Sequence, residues 1–187
     1  KTAYEMLRSL VGSEMCIRDS LDYQTSALAY HLGDPEKVLI LGAGGGSDIL
    51  QALYHETKEI DAVEIDPQMV DLIGTKYAEF SGDIYDKESV TVHTAEARGF
   101  VASSKEKYDL IQMVMLDSFG ASSAGLQSLS ENYLYTVEAL QLYLQHLKPE
   151  GYLSFTRWLK LPPRDTLKLF ATAIEALERN GVEDPQK

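Results

Sequence analysis

Glu64, Glu96 and Asp117 each follow a run of strand-forming residues, and the glycine cluster Gly42-Ala43-Gly44-Gly45-Gly46 follows another. These are the positions at which the chain could do chemistry. A glycine turn between a strand and a helix lets a ligand approach the backbone closely. The helix that begins at Ser47 and Asp48 offers free N–H groups and a positive dipole end to a polar or anionic ligand. An acid about twenty residues further on can accept both hydroxyl hydrogens of a vicinal diol, which suits Glu64 to a ribose. Gly42, Gly44 and Ser47 fill the places of a G-x-G-x-x-G fingerprint, so its third glycine is absent. Two ligand classes fit this pattern: a nicotinamide cofactor, or S-adenosylmethionine and its relatives. Asp117 is suited to take a proton from an attacking amine, which is nucleophilic only when neutral. Plainer roles, an exposed strand end for Glu64 and a loop cap for Asp117, stand beside these readings.

The elements that must place these residues alternate along the chain. The apolar run 37–41 reads as a strand buried on both faces. A helix is expected over 47–55, then a strand over 59–65. Asp66 is a good N-cap and Pro67 suits a first helical position, ahead of Met69, Val70, Ile73 and Tyr77 at helical spacing. Residues 80–87 read as a polar loop. A strand over 89–93, a short helix over 96–102 and a nearly all-apolar strand over 108–116 follow, leading to Asp117 and a small-residue loop, 118–128. Ser130 is the expected cap of a long helix bearing Leu134, Val137, Leu140, Leu144 and Leu147. Residues 148–151 read as a stop and 152–158 as the fifth strand. After Pro162-Pro163 a last amphipathic helix presents Leu167, Phe170, Ile174 and Leu177, and ends at Asn180-Gly181. Strands alternating with helices imply right-handed crossovers and an α/β fold with a doubly wound, mostly parallel sheet. Ligands bind such sheets beyond the carboxyl ends of the strands, at the switch point, where the three acids fall.

At 187 residues the chain has the length of one domain with a substantial core. Its net charge of −12 argues against a nucleic-acid partner, which needs a basic stripe. The same charge admits a cationic substrate such as a polyamine, or serves solubility alone. No apolar run approaches the ~18 residues of a membrane span. His31, His55, His93 and His146 show no metal-ligand spacing, so no metal is expected, and Ser122-Ser123 has no histidine in a hydrolase order. Residues 10–20 read as the translation of a transposon-library sequencing adapter, so residues 1–20 are expected to be a non-native tail. The one cysteine, Cys16, lies within it, which leaves no cysteine chemistry.

Longer motifs add a resemblance. Lys107-Tyr108-Asp109-Leu110-Ile111-Gln112-Met113-Val114-Met115-Leu116-Asp117-Ser118 resembles the Y-D-x-I-x-x-D-S strand of spermidine-synthase-like proteins. Lys148-Pro149-Glu150-Gly151-Tyr152-Leu153 resembles the L-K-P-x-G-x-L approach to strand five in the S-adenosylmethionine-dependent methyltransferase fold. Asn132 to Ala139 and Thr156-Arg157-Trp158 are similar to a bacterial branch of spermidine-synthase-like proteins often fused to membrane segments. The resemblance covers residues 21–187. It implies a class I methyltransferase, Rossmann-like fold and a transferase using S-adenosylmethionine or its decarboxylated form, with an amine or other small molecule as acceptor and no metal. It places the domain in the cytoplasm, as a soluble protein or as the cytosolic part of a membrane protein, and leaves room for a homodimer. The chain stops where that fold would enter its last antiparallel strands, so the domain is expected to be incomplete at its C-terminus.

Residue by residue, the resemblance implies that the turn of Gly42, Ala43, Gly44 and Gly46, with Asp48 behind it, passes under the nucleoside and its amino-acid-like tail. Glu64, followed by Ile65, would hold the ribose hydroxyls. Glu96, with Ala97 beside it, falls where the family places the Asp that accepts from the adenine amino group. Asp117 matches the first Asp of D-S-S-D-P, which helps deprotonate the attacking amine. Two positions depart from the family pattern. Gly45 stands where an Asp contacts the amine of an aminopropyl donor, and Gly120 with Ala121 stands where the second Asp and the Pro would be. Asp48 and Glu131 are acids that could stand in. The first expectation is a transferase that uses S-adenosylmethionine or its decarboxylated form and is related to the aminopropyltransferases, with aminopropyl transfer to an amine as its reaction. Methyl transfer to an unknown acceptor and nucleoside sensing without turnover are the alternatives, and a nicotinamide dehydrogenase is a distant fourth.

Overall fold

Val38 and Ile40 point to one face of a sheet, Leu39 and Leu41 to the other, and all four are fully buried. That is why the run 37–41 carries no polar residue after Lys37. The computed structural model describes residues 20–113, 133–157 and 161–185. The strands are β1 (Lys37–Leu41), β2 (Glu59–Glu64), β3 (Val90–Thr94), β4 (Tyr108–Met113) and β5 (Leu147–Phe155). They pair in the order β3-β2-β1-β4-β5, and every neighbouring pair is parallel. The order reverses between β1 and β4, which opens a crevice at their carboxyl ends.

Helices cover both faces: α1 (Leu28–Leu32), α2 (Ser47–Tyr54), α3 (Pro67–Asp71), α4 (Ala78–Ser81), α5 (Ala97–Ser103), α6 (Val137–Gln145) and α7 (Arg164–Arg179). One core joins Val38, Ile40, Ile60, Ala62 and Leu110 to Tyr30, Ile49 and Ala52 from α1 and α2. The other joins Leu39, Leu41, Ile111 and Met113 to Val101, Leu140, Tyr143 and Ala176 from α5, α6 and α7. No helix among the described residues is long and apolar enough to cross a membrane.

Several elements differ from the sequence reading. The helix capped by Asp66, whose side chain accepts from Gln68 N, passes after Asp71 into a π turn over Leu72–Lys76. The supposed polar loop 80–87 contains part of α4 and the 3-10 turn Ile84–Asp86, whose Ile84 and Tyr85 are buried against the first core. Thr136 rather than Ser130 caps the described helix α6, accepting from Ala139 N, and Leu147 already belongs to β5. Ser130 lies outside the described residues. In α7 it is Leu169, Ala173 and Ala176 that meet the second core, whereas Leu167 and Phe170 are exposed. This face packs α7 against α6.

Residues 148–151, read as a stop, lie within β5 and carry a register slip. Tyr108 pairs with Leu147, but Leu110 pairs with Tyr152. Gly151 sits where the slip brings three backbone carbonyls together: a Cβ there would stand 3.0 Å from Lys148 O, 3.0 Å from Tyr108 O and 3.1 Å from Asp109 O. None of these belongs to a flexible side chain. Gly151→Ala is expected to destabilise the protein by about 1–3 kcal/mol, the usual cost of overpacking. Urea unfolding checks this, with the open position Gly45, where a Cβ meets nothing within 4 Å, as the control for Gly→Ala itself.

Candidate functional site

The glycine turn leaves β1 and is held from three directions. Gly42 N and Ala43 N both donate to Val63 O of β2, at 2.8 and 2.9 Å. Gly44 N donates to Glu64 Oε2 at 2.8 Å, while Asp66 N donates to Glu64 Oε1 at 3.0 Å. From the other side Tyr85 OH donates to Gly44 O at 2.6 Å. Burial, reinforced by the Glu64 charge, pushes the Tyr85 phenol up to about 12, so it stays a proton donor. Gly42, Gly44 and Gly46 have φ of 92°, 50° and 85°. That left-handed backbone is the reason the turn is made of glycine.

Behind the turn a buried polar network fixes the start of α2. Gln112 lies on β4 on the same side as Leu110 and is wholly buried. Its Nε2 donates to Asp48 Oδ1 at 2.6 Å and its Oε1 accepts from Tyr30 OH at 3.0 Å. Ser47 Oγ donates to Asp48 Oδ2 at 3.1 Å. Burial pushes the Asp48 carboxyl above its ordinary range, against the pull of the bonds from Ser47 and Gln112. Gln51, also wholly buried, donates through Nε2 to Leu21 O at 3.0 Å and so ties α2 to the segment before α1.

A cavity of about 440 Å³ opens at this switch point, lined by Gly42 to Gly45, Ser47, Asp48, Thr156 and the segment Gln24 to Ser26. Among those lining residues Asp48 carries the one charge. Gly42, Ala43, Gly44 and Asp48 thus come together, while Gly46, the left-handed cap of α2, stands behind them and does not line the cavity. Glu64, Ile65, Glu96 and Ala97 lie apart from it, at the ends of β2 and β3. Those ends are tied by the bond from Ala95 N to Glu64 O, at 3.0 Å. Ile65 is exposed, and Ala97 is the first residue of α5. Both Glu96 oxygens are engaged as the α5 cap, Oε1 accepting from Arg98 N at 2.9 Å and Oε2 from Gly99 N at 2.6 Å. Asp117, Gly120, Ala121, Glu131 and Trp158 lie outside the described residues. Tyr135 packs near Phe155 and under the Arg157 guanidinium, beside rather than in the cavity, and Tyr133 is exposed.

Three positions escaped the sequence reading: Tyr85, Gln51 and Gln112. Gln112 had a signal, as a lone polar residue inside an apolar strand whose burial demands a partner. Tyr85 had none, because its role depends on a loop folding under the glycine turn.

With this geometry in view, comparisons with known proteins converge. Residues 24–157 match the profile of the spermine/spermidine synthase domain. The chain is similar to polyamine aminopropyltransferases. That of Oceanobacillus iheyensis is 34% identical over 120 residues, covering 63% of this chain and 22% of the relative. That of Lachnospira eligens is 32% identical over 125 residues, covering 65% and 40%. That of Korarchaeum cryptofilum is 30% identical over 89 residues, covering 48% and 28%. The chain therefore spans less than half the length of these relatives. A spermidine synthase solved in complex with the transition state analogue AdoDATO superposes with a TM-score of 0.57 at 21% identity, covering 90% of this chain and 51% of that one. Human methyltransferase-like protein 13, solved in complex with SAH, gives 0.53 at 22% identity, covering 86% and 70%. These likenesses show the fold, the Rossmann-like α/β sheet of class I methyltransferases.

Proposed function

The chain belongs to the spermine/spermidine synthase domain family, and from that premise we propose that it is the nucleoside-binding part of a transferase that moves an aminopropyl group from decarboxylated S-adenosylmethionine to an amine. The observation that carries this reading is the cavity at the β1/β4 switch point, whose one charged lining residue is the half-buried Asp48. An acid is the residue type that recognises a protonated amine, and in a partly dry site the attraction is stronger than in water. Glu64 would hold the ribose through the lone pairs its two backbone bonds leave free. Glu96 would face the adenine, so that the nucleoside lies over the ends of β2 and β3 and its tail runs across the glycine turn to the edge of the cavity, where Asp48 would hold the acceptor amine.

The reaction is an in-line displacement. The amine nitrogen attacks the aminopropyl carbon bonded to sulfur, the C–S bond breaks with its electrons going to the sulfonium, and a neutral thioether leaves. The proton lost by the amine goes to a carboxylate, the role proposed for Asp117. Positioning and electrostatics supply most of the acceleration such a displacement needs.

One observation favours the second reading, methyl transfer from S-adenosylmethionine. At Gly45, where the family's Asp would contact the donor's amine, the structure has open space and no acid. Calorimetric titration of this chain with S-adenosylmethionine, its decarboxylated form and methylthioadenosine tests both. Binding of none of them sinks the nucleoside pocket altogether. Methylthioadenosine as product signals aminopropyl transfer, and S-adenosylhomocysteine signals methyl transfer. Because a Cβ at residue 45 meets nothing within 4 Å, Gly45→Asp is expected to fold normally. It should improve affinity for the decarboxylated donor at least about tenfold relative to S-adenosylmethionine, the worth of one charge-assisted hydrogen bond. An unchanged ratio would show that the donor's amine lies elsewhere.

A further inference from the structure

The segment before β1 carries Asp22 and His31, and both meet His55, the residue that ends α2. One ligand-capable atom from each of the three lies within 4.8 Å of the other two. Asp22 Oδ1 stands 3.4 Å from His31 Nε2 and 3.6 Å from His55 Nε2. These separations are wide of the ~2.7–3.2 Å of a good hydrogen bond. Accordingly Asp22 Oδ1 and His55 Nε2 are buried atoms with no hydrogen-bond partner. Native proteins seldom leave two such atoms facing each other unsatisfied. The spacing instead suits atoms that share an ion: ligands held ~2.0–2.2 Å from one centre at tetrahedral angles stand roughly 3.3–3.6 Å apart.

We propose that Asp22, His31 and His55 form a site for a divalent transition-metal ion, Zn²⁺ being the best fit. Two imidazoles with one carboxylate are a poor set for Mg²⁺ or Ca²⁺, which take oxygen ligands. Zn²⁺ imposes no geometry of its own, and water completes the shell. The surroundings orient the ligands as outer-shell partners do. The His55 ring is stacked on Tyr30, with centroids 4.6 Å apart and planes 9° from parallel, and meets Tyr54 edge-on at 4.9 Å. Tyr54 OH holds the other carboxylate oxygen, Asp22 Oδ2, at 3.3 Å. The sequence gives no hint of this set, because its members come from separate elements and lack the short spacings of a metal motif.

The ion's role is structural. It fastens the segment before β1 to α2, the same join that Gln51 makes through Leu21 O. Gln24 to Ser26 of that segment line the cavity, so the ion would set one wall of the proposed amine site without touching substrate. The inference does not depend on which group the enzyme transfers.

The test uses the whole chain with Cys16→Ser, which removes the one thiol that could bind zinc elsewhere. Titration with Zn²⁺ alone is expected to show one saturable site, and Zn²⁺ should raise Tm where Mg²⁺ does not. The His31 side chain is 51% exposed, so His31→Ala should keep the fold, checked by circular dichroism, and weaken Zn²⁺ binding at least about tenfold. Co²⁺ should give the visible absorption of a low-coordinate nitrogen and oxygen site, lost in the same variant. Zn²⁺ binding left unchanged by His31→Ala overturns the assignment, as does the absence of saturable binding to a natively folded chain. A Tm that rises on acidification but not with Zn²⁺ also overturns it, and makes the cluster an ion pair of protonated histidine with Asp22.

Discussion

Glu64→Ala is expected to weaken binding of methylthioadenosine at least about a hundredfold and to lower Tm in the same variant. Two separate jobs converge on this carboxylate. Structurally, it accepts from Gly44 N and Asp66 N, joining the glycine turn of β1 to the exit of β2. Hydrogen bonds to a charged group contribute roughly 1.5–3 kcal/mol each, and alanine removes both. Functionally, the same oxygens are the proposed acceptors for the ribose diol, and losing two such bonds to a ligand accounts for two decades of affinity at about 1.4 kcal/mol per decade. Glu64→Gln separates the jobs. Its amide nitrogen cannot accept, so one of the two backbone N–H groups loses its partner, yet one oxygen remains for a hydroxyl. Affinity should fall in the order Glu, Gln, Ala. Tyr85→Phe provides the contrast, since it frees Gly44 O from the other side of the turn without removing a diol acceptor. If calorimetry finds the nucleoside equally weakened in Tyr85→Phe and Glu64→Ala, turn shape explains the loss and the diol role fails.

β1 was legible because burial on both faces leaves a continuous apolar run after Lys37, whereas β2 and β4 are apolar runs interrupted by Asp61 and Asp109, which are held by Tyr108 OH and Lys148 Nζ. Glu64 stands out at the end of β2 because the buried pair Ala62-Val63 precedes it. What stayed hidden depends on contacts between segments far apart in the chain. Residues 80–87 are polar and carry a glycine, yet Ile84 and Tyr85 fold under the turn of residues 42–46, and no periodicity over eight residues signals that. The inward face of α7 stayed hidden because Leu167 and Phe170 are larger than Ala173 and Ala176, yet it is Leu169, Ala173 and Ala176 that meet the second core. Glu96 lies just beyond the end of β3. Its two bonds to the first turn of α5 show that an acid there has a structural use.

Asp48→Asn is expected to raise the Tm of the ligand-free protein while weakening the binding of a short alkyl diamine about ten- to a hundredfold. Burial is the main influence on Asp48 and pushes its carboxyl upward, and the bonds from Ser47 and Gln112 only partly offset it. A folded-state pKa above the unfolded one means that ionisation is harder in the folded protein. The group's contribution to stability is then fully present in acid and is lost as pH rises through the elevated folded value. At neutral pH the wild-type chain therefore carries a cost that asparagine removes. Asparagine is close to isosteric, can accept from Gln112 Nε2 through its carbonyl oxygen, and can donate to Ser47 Oγ through its amide. Relief at a functional site of this kind commonly stabilises by about 0.5–2 kcal/mol, and in a chain of this size each kcal/mol moves Tm by about 2–4 °C. The gain should be largest near neutral pH and above, and shrink as acid protonates Asp48 in the wild type, which thermal melts across pH will reveal. The amine should bind less well because its one charged partner among the lining residues has gone, a loss of roughly 1.5–3 kcal/mol for a charge-assisted bond. The two readouts moving in opposite directions are what distinguish a recognition carboxylate from a merely awkward one. A Tm gain with diamine affinity unchanged would leave Asp48 without a role in the cavity it lines.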